Sequence, residues 1–550
     1  MAAAASNLNN PRYGYDFVVA TTQDSINATM KKYLDSLDDS DTYIIFVRNA
    51  KKETVQVTLD QLKTASKGVD PFTLPADEDP SGENIMALQK ARFIAGIKVT
   101  LGLPQNYDDP RTLPPIVDLT QGAGSVGYNM LCADIKICQL AFTMDGPEWT
   151  ILSQNDQPNR AWIFKSHVDL MLDSAKYDQL PQNVKDGIKN LDGAMFDVQQ
   201  LLFDLNNAGL QTVPSVDGLD SASDANAFLT KYFVNAYFGH MQAQGQPVLN
   251  YTVRHKPQNA TMKPTDLNFH ISPLVGQLDP GLRTLNYLCA TDGHKLPPAV
   301  DFTWDWLNGQ DATQFNGVIS INRDTFANYL MAQVYPTAKA DCFIPYTKAY
   351  PDGLSIMFNA YPNGTPDDSK ISHVVNPNGD KVISISYSAE SWDYAGLDGA
   401  LGHSGLKQTY TKDVTVSGNT VTIVTHMVVL LSIKVLQTKN AANITDKTIT
   451  DKFELAVDGN GQLTTNYSTS TQDDSKTDSA DWFSDLFTGV NDVFNSLKSR
   501  DFNTQSLQGH PIAAFQNFMF PGGDTFAFKQ FQFSQYQDLL ASITYADPSQ

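Results

Sequence analysis

YGYDFVVATTQDSINATMKKYLDSL, residues 13–37, holds the pattern from which the rest of the chain can be read. It begins with an apolar run, Phe17-Val18-Val19-Ala20. A helix is expected next. Thr21 is placed to act as N-cap with Asp24 three positions on, where the first free N–H groups need acceptors. Ile26, Met30, Tyr33, Leu34 and Leu37 then recur at the spacing of one helix face, with Lys31, Lys32, Asp35 and Ser36 on the other. An apolar-striped helix needs a surface to lie against, and most of the remaining chain reads as strands.

Tyr43–Val47, the alternating Val55, Val57 and Leu59, and Phe93–Leu101 read as strands, with a polar loop and a short helix over 67–90. Met130–Ala141 reads as one long strand that places Cys132 and Cys138 on one face. Trp162–Leu172 alternates apolar and polar residues, the mark of an antiparallel sheet with one wet face. Residues 193–210 are ambiguous: Met195, Val198, Leu201 and Leu202 have helical spacing, while Phe203 and Leu205 fit a strand. The stretch 213–223 reads as a linker. Asp224–Met241 is a second aromatic-rich helix, followed by strand Val248–Val253. Helix followed by strand in both halves suggests two modules, 10–212 and 224–546. Gly/Asn-rich tips mark three later hairpins, around 376–381, 417–419 and 458–462. A third amphipathic helix is expected around Trp482, Phe483, Leu486 and Phe487.

Composition excludes several functions. With 39 basic and 60 acidic residues in 550, the formal net charge is −21, which disfavours nucleic acid and broad adsorption to an anionic bilayer. No run of Lys/Arg marks a local basic patch. Four cysteines without a CxxC pair make neither a disulfide scaffold nor a zinc ribbon. The first residues lack the charged and apolar regions of a secretory signal, so the expectation is a cytoplasmic protein, or one released without such a signal. The most apolar stretch, Val421–Leu436, is too short to span a bilayer and rich in β-branched residues, so no transmembrane segment is expected.

Chemical motifs are weak. Gly122-Ala-Gly124-Ser-Val-Gly127 matches a dinucleotide fingerprint, but the residues after it alternate like a strand, where that site needs a helix. Gly402-His403-Ser404-Gly405 lacks the glycine two places after the serine that a nucleophile elbow needs, and reads as a loop. Asp458-Gly-Asn460-Gly-Gln462 reads as a turn and not a calcium loop. His167 and Asp169 share a strand face without a third metal ligand. No catalytic constellation, metal site or cofactor is expected.

Four stretches together carry a family resemblance. They are YGYDFVVATTQDSINATMKKYL at the start, EWTILSQNDQPNRAWIFKSHVDLML, FDVQQLLFDLNNAGL, and FMFPGGDTFAFKQFQFSQYQDLLASITY at the end. The chain resembles the clostridial neurotoxin-cluster accessory proteins, the OrfX and P-forty-seven group. The resemblance implies an α+β, TULIP-like (tubular lipid-binding) architecture: long amphipathic helices wrapped by highly curved antiparallel sheets, in two modules. It implies no enzymatic activity. Two readings of the aromatic helices then stand side by side. In one, Ile26, Met30, Tyr33, Leu34 and Leu37, with Phe228 and Tyr232, line a slot for lipid or another apolar ligand. In the other the stripes are core, and the chain is a protein-interaction or insecticidal toxin-complex component. In that second reading Trp482, Phe483, Leu486 and Phe487 meet a toxin or accessory-protein partner.

Overall fold

A computed structural model describes residues 1–35, 41–107, 112–121, 125–144, 146–175, 196–203, 209–210, 222–244, 248–255, 265–352, 355–377, 380–396, 401–435, 438–459, 463–475 and 526–545. Its first strands are β1 (Phe17–Thr22), β2 (Asp41–Arg48), β3 (Thr54–Val57), β4 (Phe93–Leu101), β5 (Val117–Asp118) and β6 (Ser125–Met130). Then come β7 (Cys132–Thr143), β8 (Gly146–Ser153), β9 (Phe164–Ala175), β10 (Phe196–Phe203), β11 (Gly209–Leu210) and β12 (Val248–His255). The second half carries β13 (Asp266–Ile271), β14 (Thr284–Ala290), β15 (Gly317–Ile321), β16 (Pro345–Asp352), β17 (Ser355–Pro362), β18 (Ser372–Val375) and β19 (Lys381–Ala395). Last are β20 (Gly402–Ser417), β21 (Thr420–Val435), β22 (Thr438–Val457), β23 (Leu463–Asp473), β24 (Phe526–Phe533) and β25 (Leu539–Tyr545). The helices are α1 (Gln23–Asp35), α2 (Leu59–Ala65), α3 (Glu83–Lys90), α4 (Asp224–Gln244), α5 (Gly309–Ala312) and α6 (Arg323–Asp341).

The unbroken apolar run of β1 is explained by its place. All six of its residues are buried, as expected of a strand covered on both faces. It lies in the middle of a sheet ordered β13-β14-β1-β15-β25-β24. Phe17 stands opposite Cys289 on one side and Ile321 on the other. Phe17 and Val19 point into the main core; Val18 and Ala20 point into a second core with Phe302, Trp304 and Trp306. The helix then starts one residue later than expected. Thr21 stays in the strand with its hydroxyl donating to the Leu285 carbonyl, and Thr22 takes the capping role, its Oγ1 accepting from Ser25 N at 3.2 Å.

Every strand pairing among the described residues is antiparallel. A five-stranded sheet, β3-β2-β4-β7-β8, alternates cleanly: Ile44 and Phe46 face the main core, while Ile45 faces a smaller core under α2 and α3 with Leu62, Ile85, Leu88 and Trp149. A third sheet runs β12-β10-β9-β6-β5, and β18 to β23 form a six-stranded meander. Pairing crosses the expected division at 213–223: β1 joins β14 and β15, β10 joins β12, and α4 packs on β2 and β4.

Several expectations need correction. Residues 196–203 are a strand, held by β9 on one side and β12 on the other, so the helical spacing there is incidental. The expected strand 130–141 breaks at Leu131 into β6 and β7. Cys132 and Cys138 do not share a face. Thr100 pairs with Asp134 but Leu101 with Cys132, and this bulge turns Cys132 into the main core while Cys138 joins the smaller one. Gly402–Gly405 is not a loop but the start of the sixteen-residue β20. The helix α6 has no counterpart in the sequence reading; Pro336 within it blurs the pattern.

Gly317 sits opposite Thr21, and a Cβ there would run into the Ala20 carbonyl oxygen in a strand that cannot yield. Gly317→Ala is expected to destabilise the chain by about 1–3 kcal/mol. Gly239, on the open side of α4 with free space around it, should respond oppositely, Gly239→Ala stabilising by about 0.5–1 kcal/mol. Denaturant midpoints of the two variants check both signs.

Candidate functional site

The stripe of α1 is buried where its residues are described: Ile26, Met30 and Leu34 are 4%, 1% and 1% exposed and belong to the main core. The Tyr33 side chain and all of Leu37 lie outside the described residues. The opposite side of α1 is also engaged. Asn27 Oδ1 accepts from the backbone N–H groups of Ile116 and Val117, both at 2.7 Å, and its Nδ2 donates to the Val117 carbonyl at 2.9 Å. Gln23 Oε1 accepts from Leu119 N at 2.7 Å, and Lys31 Nζ donates to the Leu113 carbonyl at 3.3 Å. Burial pushes the Lys31 pKa down, against the pull of Asp24. The expected wet face of α1 is therefore a clamp on 113–119, and Asn27 is its centre. Nothing in the hydropathy pattern distinguishes such an asparagine from a solvated one. Asn27→Ala would leave two buried N–H groups and a carbonyl short of partners and should cost roughly 2–4 kcal/mol, readable in chemical denaturation.

Helix α4 carries the other candidate residues. Ala225, Leu229, Phe233, Tyr237, Phe238 and Met241 are buried. Phe233 lies 4.1 Å from Phe164 of β9, ring centre to ring centre, and Tyr237 donates to the Leu131 carbonyl at 3.0 Å. Phe228 and Tyr232 are different. Both are only half-buried, and both meet Phe46 of β2, Phe228 stacked at 3.9 Å and Tyr232 tilted at 4.9 Å. The structure thus joins α1 and α4 through one core, with the α1 residues sealed inside it and the Phe228–Tyr232 pair at its margin.

A polar cluster ties the first residues to the last strands. Asp538 is buried, and its carboxylate accepts from Ser6 Oγ at 2.8 Å, Leu8 N at 2.7 Å and Arg323 N at 3.1 Å. Burial raises its pKa from the ordinary 3.8 to about 6, although these donors pull the other way, and Asp324 adds a like charge. The folded chain therefore holds this proton more tightly than the unfolded chain. Its contribution to stability should fall by about 2 kcal/mol as pH rises from about 4 to about 6. Asp538→Asn should remove that slope in urea denaturation measured across the same range. Nearby, Asp16 engages both oxygens with Thr291, His294 and Thr325, which marks it as structural.

The weak motifs resolve into packing. Ser404 is fully buried with its hydroxyl 2.5 Å from Thr347 Oγ1, and His403 lies against the rings of Trp392 and Tyr394. Burial and two lysines lower the His403 pKa. Ser125–Met130 is a strand, so no helix succeeds the glycines before it. Burial pushes the thiols of Cys132, Cys138 and Cys289 up, away from the reactive thiolate. Asn460 to Gln462, the His167 side chain, and Trp482, Phe483, Leu486 and Phe487 lie outside the described residues. Among the described residues no cluster of three His, Cys, Asp or Glu could hold a metal, and no helix is long and apolar enough to cross a membrane.

No family model and no curated protein matches the sequence. Two solved structures are similar in fold. The first is P47 of Clostridium botulinum E1, at 9% identity and a TM-score of 0.44, covering 97% of this chain and 99% of that one. The second is a lipopolysaccharide binding protein, at 8% identity and a TM-score of 0.30, covering 96% and 98%. At this degree of likeness neither match assigns a ligand or a residue role.

Proposed function

We propose that this chain is a non-catalytic binding protein of the TULIP-like, toxin-accessory type, in which α4 and the sheets beside it hold a lipid or another apolar ligand. In this reading 10–212 and 224–546 are two modules that share sheets across their division. The observation that carries the reading is the half-buried pair Phe228 and Tyr232, stacked on Phe46 at the edge of an otherwise closed core. Half-buried aromatic rings at a core margin are suited to an acyl chain or a ring system, although Lys231 Nζ lies over the Tyr232 ring at 5.1 Å. Ile26, Met30 and Leu34 act in this account as a plug, because fully buried side chains have no surface left to offer a ligand.

That same burial favours a second reading. With the slot filled by its own side chains, the chain would serve as a protein-interaction component whose partner is a toxin or an accessory protein.

Native mass spectrometry of the purified chain, with solvent extraction of bound lipid, separates the two. The first reading expects a co-purifying lipid mass that Phe228→Ala and Tyr232→Ala reduce while the circular dichroism spectrum is kept. Ile26→Asp should instead unfold the chain. No lipid on purification and none on addition would leave the second reading in place.

A further inference from the structure

The fold gathers cations that the sequence scatters. Arg48 ends β2, Lys52 lies in the turn to β3, and Arg92 sits between α3 and β4. Together they border a cleft of about 730 Å³. The two loops are locked to each other: Arg48 N donates to the Arg92 carbonyl at 2.9 Å, and Arg92 Nη1 donates to the Asn49 carbonyl at 2.8 Å. Lys52 and Arg92 both adopt left-handed backbone, with φ of 66° and 59°, as the tight turns that present them require. All three side chains are exposed, and none has a carboxylate within ion-pair distance among the described residues. Carboxylates also stand near: Asp224 at the start of α4 borders the cleft, Glu53 follows Lys52 and accepts from the Asn49 amide at 2.8 Å, and Glu148 pairs opposite Ala141.

Apolar residues line the cleft as well, beside Gln89 and Gln139. Phe93, Ile94 and Leu140 are buried beneath it, and β7 runs on to the exposed Phe142 and Met144, 58% and 106% exposed at the β7–β8 hairpin. Two protruding apolar side chains beside three cations that form no ion pair among the described residues are unusual on a chain of net charge −21. Either feature alone has an ordinary explanation: solvated cations, or a stray surface hydrophobe. Their adjacency matches a surface that is anionic outside and apolar beneath, which a free phosphate or an acidic peptide is not.

We propose that this face docks on an anionic membrane, with Arg48, Lys52 and Arg92 receiving a lipid phosphate and Phe142 and Met144 entering the headgroup layer. The contact is local, because at physiological salt charges further than about 8 Å from the surface are largely screened, and this weakens the repulsion from the acidic remainder. It needs no lipid inside the protein, so it stands or falls separately from the carrier reading.

Co-sedimentation of the full chain with phosphatidylcholine vesicles, with and without phosphatidylserine, tests it. Binding should appear only with phosphatidylserine and fall with added salt. The variant Arg48→Gln/Lys52→Gln should bind roughly thirtyfold more weakly, and Phe142→Ser/Met144→Ser should also weaken binding; circular dichroism confirms that both fold. Equal binding to both vesicle types, or none, overturns the proposal. So does binding that inorganic phosphate abolishes and Phe142→Ser/Met144→Ser leaves unchanged, since that describes a site for a free anion.

Discussion

The structure depends on six residues, Phe17–Thr22, held between two strands that arrive more than 260 positions later. Cys289 and Ile321 flank Phe17, and each face of the strand fills a different core. A strand covered on both faces cannot be replaced by solvent on either. Its C-terminal end therefore fixes the course of the next element. Thr22 turns the chain directly into α1, and the direction of α1 sends Ile26, Met30 and Leu34 into the main core. The burial of this face of α1 is thus a consequence of where β1 sits.

Polar groups accompany this burial at several joints, and each is answered by partners of fixed geometry. Asn27 clamps the 116–117 backbone to α1. Asp538 joins the first residues, β25 and α6. Inside the meander, Tyr410 donates to Asp341 Oδ2 and Lys412 to Thr337 Oγ1, tying the end of α6 to β20. Burial lowers the Lys412 pKa, with Asp341 and Asp451 pulling it back. Apolar packing alone tolerates sliding of one layer over another; buried polar pairs of this kind fix the register at which layers meet.

Much of the fold was legible where one physical cue dominated. The strand expected over Phe93–Leu101 matches β4 to the residue, and Gly/Asn tips located the late hairpins. The run Phe17–Ala20 was legible only as apolar; neither its strand nor its partners could be read, because pairing over 260 positions leaves no local trace. Residues 196–203 were open between helix and strand, and two neighbouring strands decide for the strand. Of the candidate site, Phe228 and Tyr232 were visible as helix aromatics, but only the structure separates them from fully buried Phe233 and Tyr237. The basic cleft was invisible in sequence for a simple reason: Arg48, Lys52 and Arg92 come from two loops and form no run.

The central claim is that β1 binds the two halves into one cooperative body. Amide hydrogen exchange under mildly denaturing conditions measures it directly. The account predicts that the amides of residues 18–21 exchange in the slowest class, together with those of 285–289 and 317–321 and with the same denaturant dependence. Rapid or independent exchange of residues 18–21, while those distant strands stay protected, would contradict it.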